Sequence, residues 1–231
     1  MRVRLPPDFL EQVAALRSTR IVVGHFFYPV VRLLPGAAVA TVVRDPVERS
    51  ISVWEYLQWE TRHPDHRLLG SRGIRSIDEF AEDSCLAGHV RDNQTRLLGI
   101  EYDIEVIVAA LEAGEISLAE ARHLTAEAES APADAKLVER AKQRLREMAV
   151  VGVTEELPEF VSLLESRMGF IPRSELRPDN ASPAELVARR GTTYDGPTRE
   201  RLADINAFDA ELYSFARGLW ESRRDRVAAT G

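Results

Sequence analysis

The chain has 231 residues, 45% hydrophobic and 29% charged, proportions that fit one globular domain with a sizeable core and exclude disorder. A net charge of −7 disfavours nucleic acid as a partner, since no basic excess exists to release counterions, and no apolar run reaches the length of a membrane span. The single cysteine, Cys85, excludes an internal disulfide and a thiolate metal cage; it is expected as a small buried hydrophobe in a cytoplasmic protein.

In chain order, residues 7–16 predict a helix and residues 20–24 (RIVVG) a strand, with Gly24 and His25 at its carboxyl end. Pro35-Gly36 marks a turn. The next strand, over 38–43, carries a β-branched, apolar run typical of a central parallel strand. Arg44 follows at its tip, where open α/β sheets bind ligands. Asp45, Pro46 and Glu48 take the N-cap, N1 and N3 positions of a helix over 46–60, as a capping box with proline at its favoured place. Residues 61–75 read as a loop. Ser76-x-x-Glu79 and Ser117-x-x-Glu120 are further capping boxes, opening helices to about 82 and 129, and Asp134 caps a charged helix to about 148. A strand over 149–153 and a helix over 156–168 follow. Residues 171–197 read as mostly irregular. The final helix is expected over 198–226, with Leu202, Ile205, Phe208, Leu212, Phe215 and Leu219 on one face. Strands alternating with helices imply an α/β fold, a parallel sheet flanked by helices. The helices at 104–148 read as an insertion within one domain spanning 1–231.

The chemistry concentrates at Arg44-Asp-Pro-x-x-Arg-x-x-Ser52. An arginine at a strand tip beside a helix N-terminus makes an anion site from side chain, amides and dipole together. Ser52 shares the polar face of that helix with Asp45, Glu48 and Arg49, so Arg44 and Ser52 can grip one phosphate between them. Asn93 and Gln94 either line a substrate or brace a helix. His63, His66, His89 and His123 show no metal-ligand spacing, so no metal site is expected.

Four stretches carry a family resemblance: Val23-Gly24-His25; Val43 to Ser52; Asn93-Gln94-Thr95-Arg96-Leu97-Leu98-Gly99; and Val151-Gly152-Val153-Thr154-Glu155-Glu156-Leu157, continued by Phe160 to Glu165. With them the chain resembles the sulfotransferases that use 3′-phosphoadenosine 5′-phosphosulfate, in the membrane-type group that contains heparan sulfate 2-O-sulfotransferase and its bacterial relatives. The resemblance implies a P-loop-like sheet, with Arg44 and Ser52 holding the donor's 3′-phosphate. It makes His25 the base that takes the proton of an acceptor hydroxyl. Arg190 and Gly191, in the basic turn Arg189-Arg190-Gly191-Thr192-Thr193, are similar to the loop that closes over the donor nucleotide. The implied reaction moves a sulfuryl group to a hydroxyl of a carbohydrate or small metabolite.

One family feature is missing. The resembled fold begins with a strand and a lysine-bearing loop that cradles the donor's 5′-phosphate, yet lysine occurs here only at Lys136 and Lys142, and no G-x-x-x-x-G-K-[ST] pattern occurs. Without that first strand, the strands at 38–43 and 149–153 are expected to face an empty lane. A start assigned too late, a shortened chain and real loss of the donor site all fit. The alternative to an enzyme is accordingly a non-catalytic member of the fold that acts as a binding module.

Overall fold

The computed structural model describes residues 5–16, 19, 21–169 and 193–228. Its elements begin with α1 (Phe9–Leu16), a 3₁₀ turn (Tyr28–Leu33), β1 (Ala40–Val43), α2 (Pro46–Trp59), α3 (His66–Ser71) and α4 (Ile77–Glu82). A 3₁₀ turn (Ala87–His89) leads to α5 (Asn93–Gly99), α6 (Ile104–Glu112), α7 (Leu118–Ser130) and α8 (Ala135–Glu147). Then come β2 (Val150–Val153), a 3₁₀ turn (Thr154–Glu156), α9 (Leu157–Met168), α10 (Gly196–Asp204) and α11 (Ala207–Ala228). They fall into two compact units: Met1–Val39 with Gln94–Ala149, and Ala40–Asn93 with Val150–Gly231.

The second unit contains the sheet. β1 and β2 run parallel in the register Ala40↔Val150 to Val43↔Val153. The two predicted strands thus bond directly to each other, so the empty lane does not lie between them; the other edge of each meets no strand among the described residues. All four residues of β2 are buried. Val150 and Val153 pack with Phe160 of α9 and Trp220 of α11. Gly152 is what lets α9 come so close, since a Cβ there would lie 2.3 Å from Phe160 Cδ2. On α2, Ile51, Trp54 and Leu57 enter a core with Leu69, Phe80, Leu86 and Leu202, and the rings of Trp54 and Phe80 stand 5.4 Å apart.

The first unit is helical. Phe9 and Val13 of α1 pack on Ile104, Ile107 and Val108 of α6 and Ala121 of α7, and Arg122 Nε donates to Leu5 O at 2.7 Å. Both serine capping boxes close as the sequence predicts, at Ser76 and at Ser117. Asp134 caps α8 through Leu137 N. Burial pushes the Glu129 carboxyl up to about 7, against the opposing effects of the Tyr102 hydroxyl bonded to it and of Arg96.

Four expectations are corrected. Residues 21–24 form no strand, because no neighbouring strand among the described residues takes up their backbone groups; Ile21 is 59% and Val23 86% exposed. The 61–75 loop contains α3, which is drawn inward by buried Leu69 and by a bond between His66 Nδ1 and Leu57 O at 2.7 Å. The final helix is broken into α10 and α11, because Asn206 turns its amide back on Leu202 O at 2.8 Å, competing with the backbone ladder. The break shifts the buried face to Asn206, Asp209, Leu212, Ala216 and Trp220. Cys85 is exposed rather than buried.

Gly152→Ala is expected to cost about 1–3 kcal/mol through overpacking, read as a lower urea midpoint; a midpoint equal to the parent's refutes the close β2–α9 approach. Glu129 has a raised folded pKa, so its stabilising contribution is full below the ordinary value of 4.5 and is lost as pH rises through about 7. Glu129→Gln should therefore gain stability relative to the parent on going from pH 5 to 8, by on the order of 2 kcal/mol. Parallel pH–stability curves for the two proteins contradict the buried-carboxylate account.

Candidate functional site

Parallel pairing puts the carboxyl ends of β1 and β2 side by side, and Thr154 Oγ1 donates to Val43 O at 3.3 Å. Arg44 and Asp45 follow β1 directly. Asp45 caps α2: its Oδ1 accepts from Val47 N at 3.0 Å and Glu48 N at 2.9 Å. Pro46 has no N–H, and Arg49 N already donates to Asp45 O at 2.8 Å. The first-turn amides are thus committed within the protein, and the expected backbone contribution to an anion site is corrected. An anion at this helix start would have to rely on side chains and the helix dipole.

Arg44 and Ser52 are both half-buried in the second unit, and Ser52 makes no side-chain hydrogen bond among the described residues. Ser50, by contrast, gives its hydroxyl to Pro46 O at 2.7 Å. Glu48, expected to complete the capping box, presents Oε1 to Arg199, which donates from Nη1 at 2.9 Å and Nη2 at 2.8 Å. That pairing offsets a carboxylate in the first turn of α2 that would otherwise repel an anion.

Arg49 is the anchor behind this surface. It donates to His89 O at 2.8 Å and to Asn93 Oδ1, while Asn93 Nδ2 donates to Gly88 O at 2.7 Å. Burial pulls the Arg49 pKa down, buried Asp209 opposes that, and neighbouring Arg44 adds to it. Asp209 is held in turn: its N–H donates to Asp92 Oδ1 at 2.9 Å, and Asp92 N donates to Asn206 Oδ1 at 3.0 Å. Asp92 sits at φ 42°, the left-handed region that aspartate tolerates better than most residues. Asn93 therefore braces the fold.

Beyond the tip of β2, burial and a bond to Glu155 push the Tyr213 phenol up to about 12. Glu156 Oε2 accepts from Trp220 Nε1 at 2.9 Å and Arg224 Nη1 at 2.6 Å. Thr154, Glu155 and Glu156 thus fasten strand ends and α11 together. His89 Nε2 bonds Asp65 Oδ2 at 2.8 Å. Burial lowers the His89 pKa despite that partner, while the bond from His89 holds Asp65 below the usual carboxylate range.

The predicted residues divide between the units. Arg44 and Ser52 lie in the second; His25 lies in the first, exposed and outside any strand. Arg190 and Gly191 lie outside the described residues. Among the described residues no group of three His, Cys, Asp or Glu side chains could hold a metal ion. Sequence reasoning missed Arg199, Tyr213 and Asp209, which meet α2 or β2 only through the fold. One local signal was present: Asn206-x-x-Asp209 is a helix-start pattern.

Arg49→Ala removes the bonds to His89 O and Asn93 Oδ1 together with the attraction to buried Asp209 and should cost about 3 kcal/mol, with Arg49→Lys recovering only part because ammonium lacks the fork that spans two acceptors. Urea unfolding of both variants checks this, and a loss under 0.5 kcal/mol in Arg49→Ala overturns it.

No protein-family model matches the sequence, and no solved structure matches it. Among curated proteins, the chain is 29% identical over 203 residues to heparan-sulfate 6-O-sulfotransferase 2 of Danio rerio, covering 79% of this chain and 38% of that protein. It is 27% identical over 204 residues to heparan-sulfate 6-O-sulfotransferase 3 of Homo sapiens, with the same two coverages. Heparan-sulfate 6-O-sulfotransferase 2 of Gallus gallus is also 27% identical over 204 residues, with 44% of its length covered. These relatives are lumenal rather than cytoplasmic enzymes, which overturns the cytoplasmic expectation; a low cysteine count removes disulfides without fixing a compartment. No helix of the described residues is long and apolar enough to cross a membrane. The chain spans less than half the length of the relatives it matches, and all three are sulfotransferases.

Proposed function

We propose that this chain carries the nucleotide-binding and acceptor-activating part of a carbohydrate sulfotransferase whose donor is 3′-phosphoadenosine 5′-phosphosulfate. The observation that carries the reading is the Ser52 hydroxyl, which makes no hydrogen bond among the described residues, on the helix that Arg44 introduces at the carboxyl end of β1, in a chain similar to three sulfotransferases. Arg44 would supply charge and Ser52 a hydrogen bond to the donor's 3′-phosphate. Arg49 adds positive potential from behind, and Arg199 holds the Glu48 carboxylate in an ion pair. Arg190 and Gly191 are proposed to close over the nucleotide.

The donor supplies an activated sulfuryl group. The acceptor hydroxyl oxygen attacks sulfur as the bond from sulfur to the donor's phosphate oxygen breaks, and 3′-phosphoadenosine 5′-phosphate leaves. His25 takes the hydroxyl proton as the new bond forms, which is general-base catalysis by a group whose ordinary pKa lies near neutrality. No metal is needed for this balance; positioning and charge carry the step. A second reading is a binding module of the same fold, which would take up the nucleotide without transferring its sulfuryl group.

Thermal shift with 3′-phosphoadenosine 5′-phosphate tests the donor site. The nucleotide should raise Tm, and Arg44→Ala and Ser52→Ala should each reduce that rise, Arg44→Ala more. Transfer of labelled sulfuryl to a carbohydrate acceptor should fall on the order of 10²–10⁴-fold in His25→Ala with the nucleotide shift intact. A nucleotide shift without any transfer selects the binding module. No shift at all defeats both nucleotide readings.

A further inference from the structure

Packing on either side of Arg199 fixes where it meets α2. Tyr194, just before α10, and Leu202, within it, are both buried in the core that holds Ile51 and Trp54 of α2. Asp195 caps α10, its Oδ1 accepting from Thr198 N at 3.0 Å. From this held backbone Arg199 reaches Glu48, which lies four residues after Arg44 and four before Ser52. Residues four apart on a helix are neighbours on its surface, so the guanidinium stands over the turn that leads from Arg44 to Ser52.

The pair with Glu48 leaves part of the guanidinium unused. Nη1 at 2.9 Å and Nη2 at 2.8 Å both donate to one oxygen, Glu48 Oε1. A guanidinium carries five N–H donors, and this end-on contact takes two. Nε makes no bond among the described residues, and the side chain is 36% exposed. Nε–H and the Nη–H beside it form a fork of the kind that binds phosphate side-on.

A phosphate at this place is short of positive charge without Arg199. A phosphate monoester carries about 1.5 to 2 negative charges at neutral pH, and Arg44 brings one positive charge. The first-turn amides of α2 are taken by Asp45, and Arg49 gives its donors to His89 O and Asn93 Oδ1. We propose that Arg199 is a further ligand of the donor's 3′-phosphate, binding it through the Nε edge while the two outer nitrogens stay on Glu48. The inference deepens the donor-site reading and rests on it. The ion pair fixes the guanidinium before the nucleotide arrives, which lowers the ordering cost of binding.

Calorimetry of the full chain with 3′-phosphoadenosine 5′-phosphate tests it. Arg199→Ala should weaken binding about tenfold, the loss expected for hydrogen bonds to a charged group, with Arg199→Lys recovering only part because ammonium lacks the fork. By competition, the preference for this nucleotide over adenosine 5′-phosphate, which has no 3′-phosphate, should fall by a similar factor. Should Arg199→Ala lower Tm in the absence of nucleotide, Arg199→Gln, which keeps a polar stem, takes its place. A Glu48→Gln background separates contact from charge screening. An arginine that touches the phosphate is still missed there, so Arg199→Ala should weaken binding again. An arginine that only offsets Glu48 has nothing left to offset, and unchanged affinity in that background overturns the proposal. An unchanged preference between the two nucleotides overturns it as well. Where the parent binds the nucleotide, either failure rejects Arg199 alone; no binding by the parent rejects the donor site and Arg199 together.

Discussion

The second unit depends on one buried ionic knot. Arg49 reaches from α2 to the carbonyl of His89 and the amide of Asn93, with Asp209 of α11 as its electrostatic counterweight. Asp209 is in turn bonded by Asp92, and Asp92 by Asn206. Three separated pieces of chain therefore share one set of charges. A half-buried guanidinium drawn largely out of water is held best when its donors and its charge are both answered, so α2, the 88–93 turn and the start of α11 hold one another in place. Apolar packing of Ile51, Trp54 and Leu57 supplies cohesion; the ionic knot supplies register.

That constraint shapes the chemistry in front of it. With α2 held from behind, its first turn presents Arg44 beside the sheet, while Asp45 occupies the amides that a bare helix N-terminus would offer. Capping and anion binding compete for the same N–H groups, and here capping has them. Recognition of an anion there, as proposed, would be left to side chains, whose geometry depends on the fold more than on the helix. The same logic explains Arg199: a carboxylate at N3 is good for the helix and bad for an anion ligand, and an arginine from α10 answers it.

The first unit uses arginine differently. Arg140 and Arg144 of α8 donate to the last carbonyls of α5 and the residue beyond it, satisfying acceptors that every helix leaves open at its carboxyl end. Gly99 allows that contact, since a Cβ there would lie 2.4 Å from Leu137 O. The pairing of α5 with α8 leaves the polar cavity between Tyr28, Arg32 and Arg140 in the same unit. An arginine-rich, lysine-poor sequence suits this use, because the planar fork can satisfy carbonyls and carboxylates at once.

Local signals in the sequence determined the pieces. The β-branched run before Arg44, the Asp45-Pro46 start of α2, the two serine capping boxes and the Asp134 cap each act within a few residues, and each stands in the structure where the sequence places it. Tertiary structure decided whatever needed a distant partner. The run at 21–24 has strand composition but no described neighbour, so it is no strand. The last helix has a continuous apolar stripe, but Asn206 bonds across to Ser50 and Asp92 and breaks it. At the candidate site, the sequence singled out Arg44 and Ser52, which lie eight residues apart, whereas Arg199 and Asp209 were invisible because about 150 residues separate them from the groups they face. Hydrogen bonds along a helix are set by neighbours in sequence; buried charge and strand pairing are settled only when the chain has closed on itself.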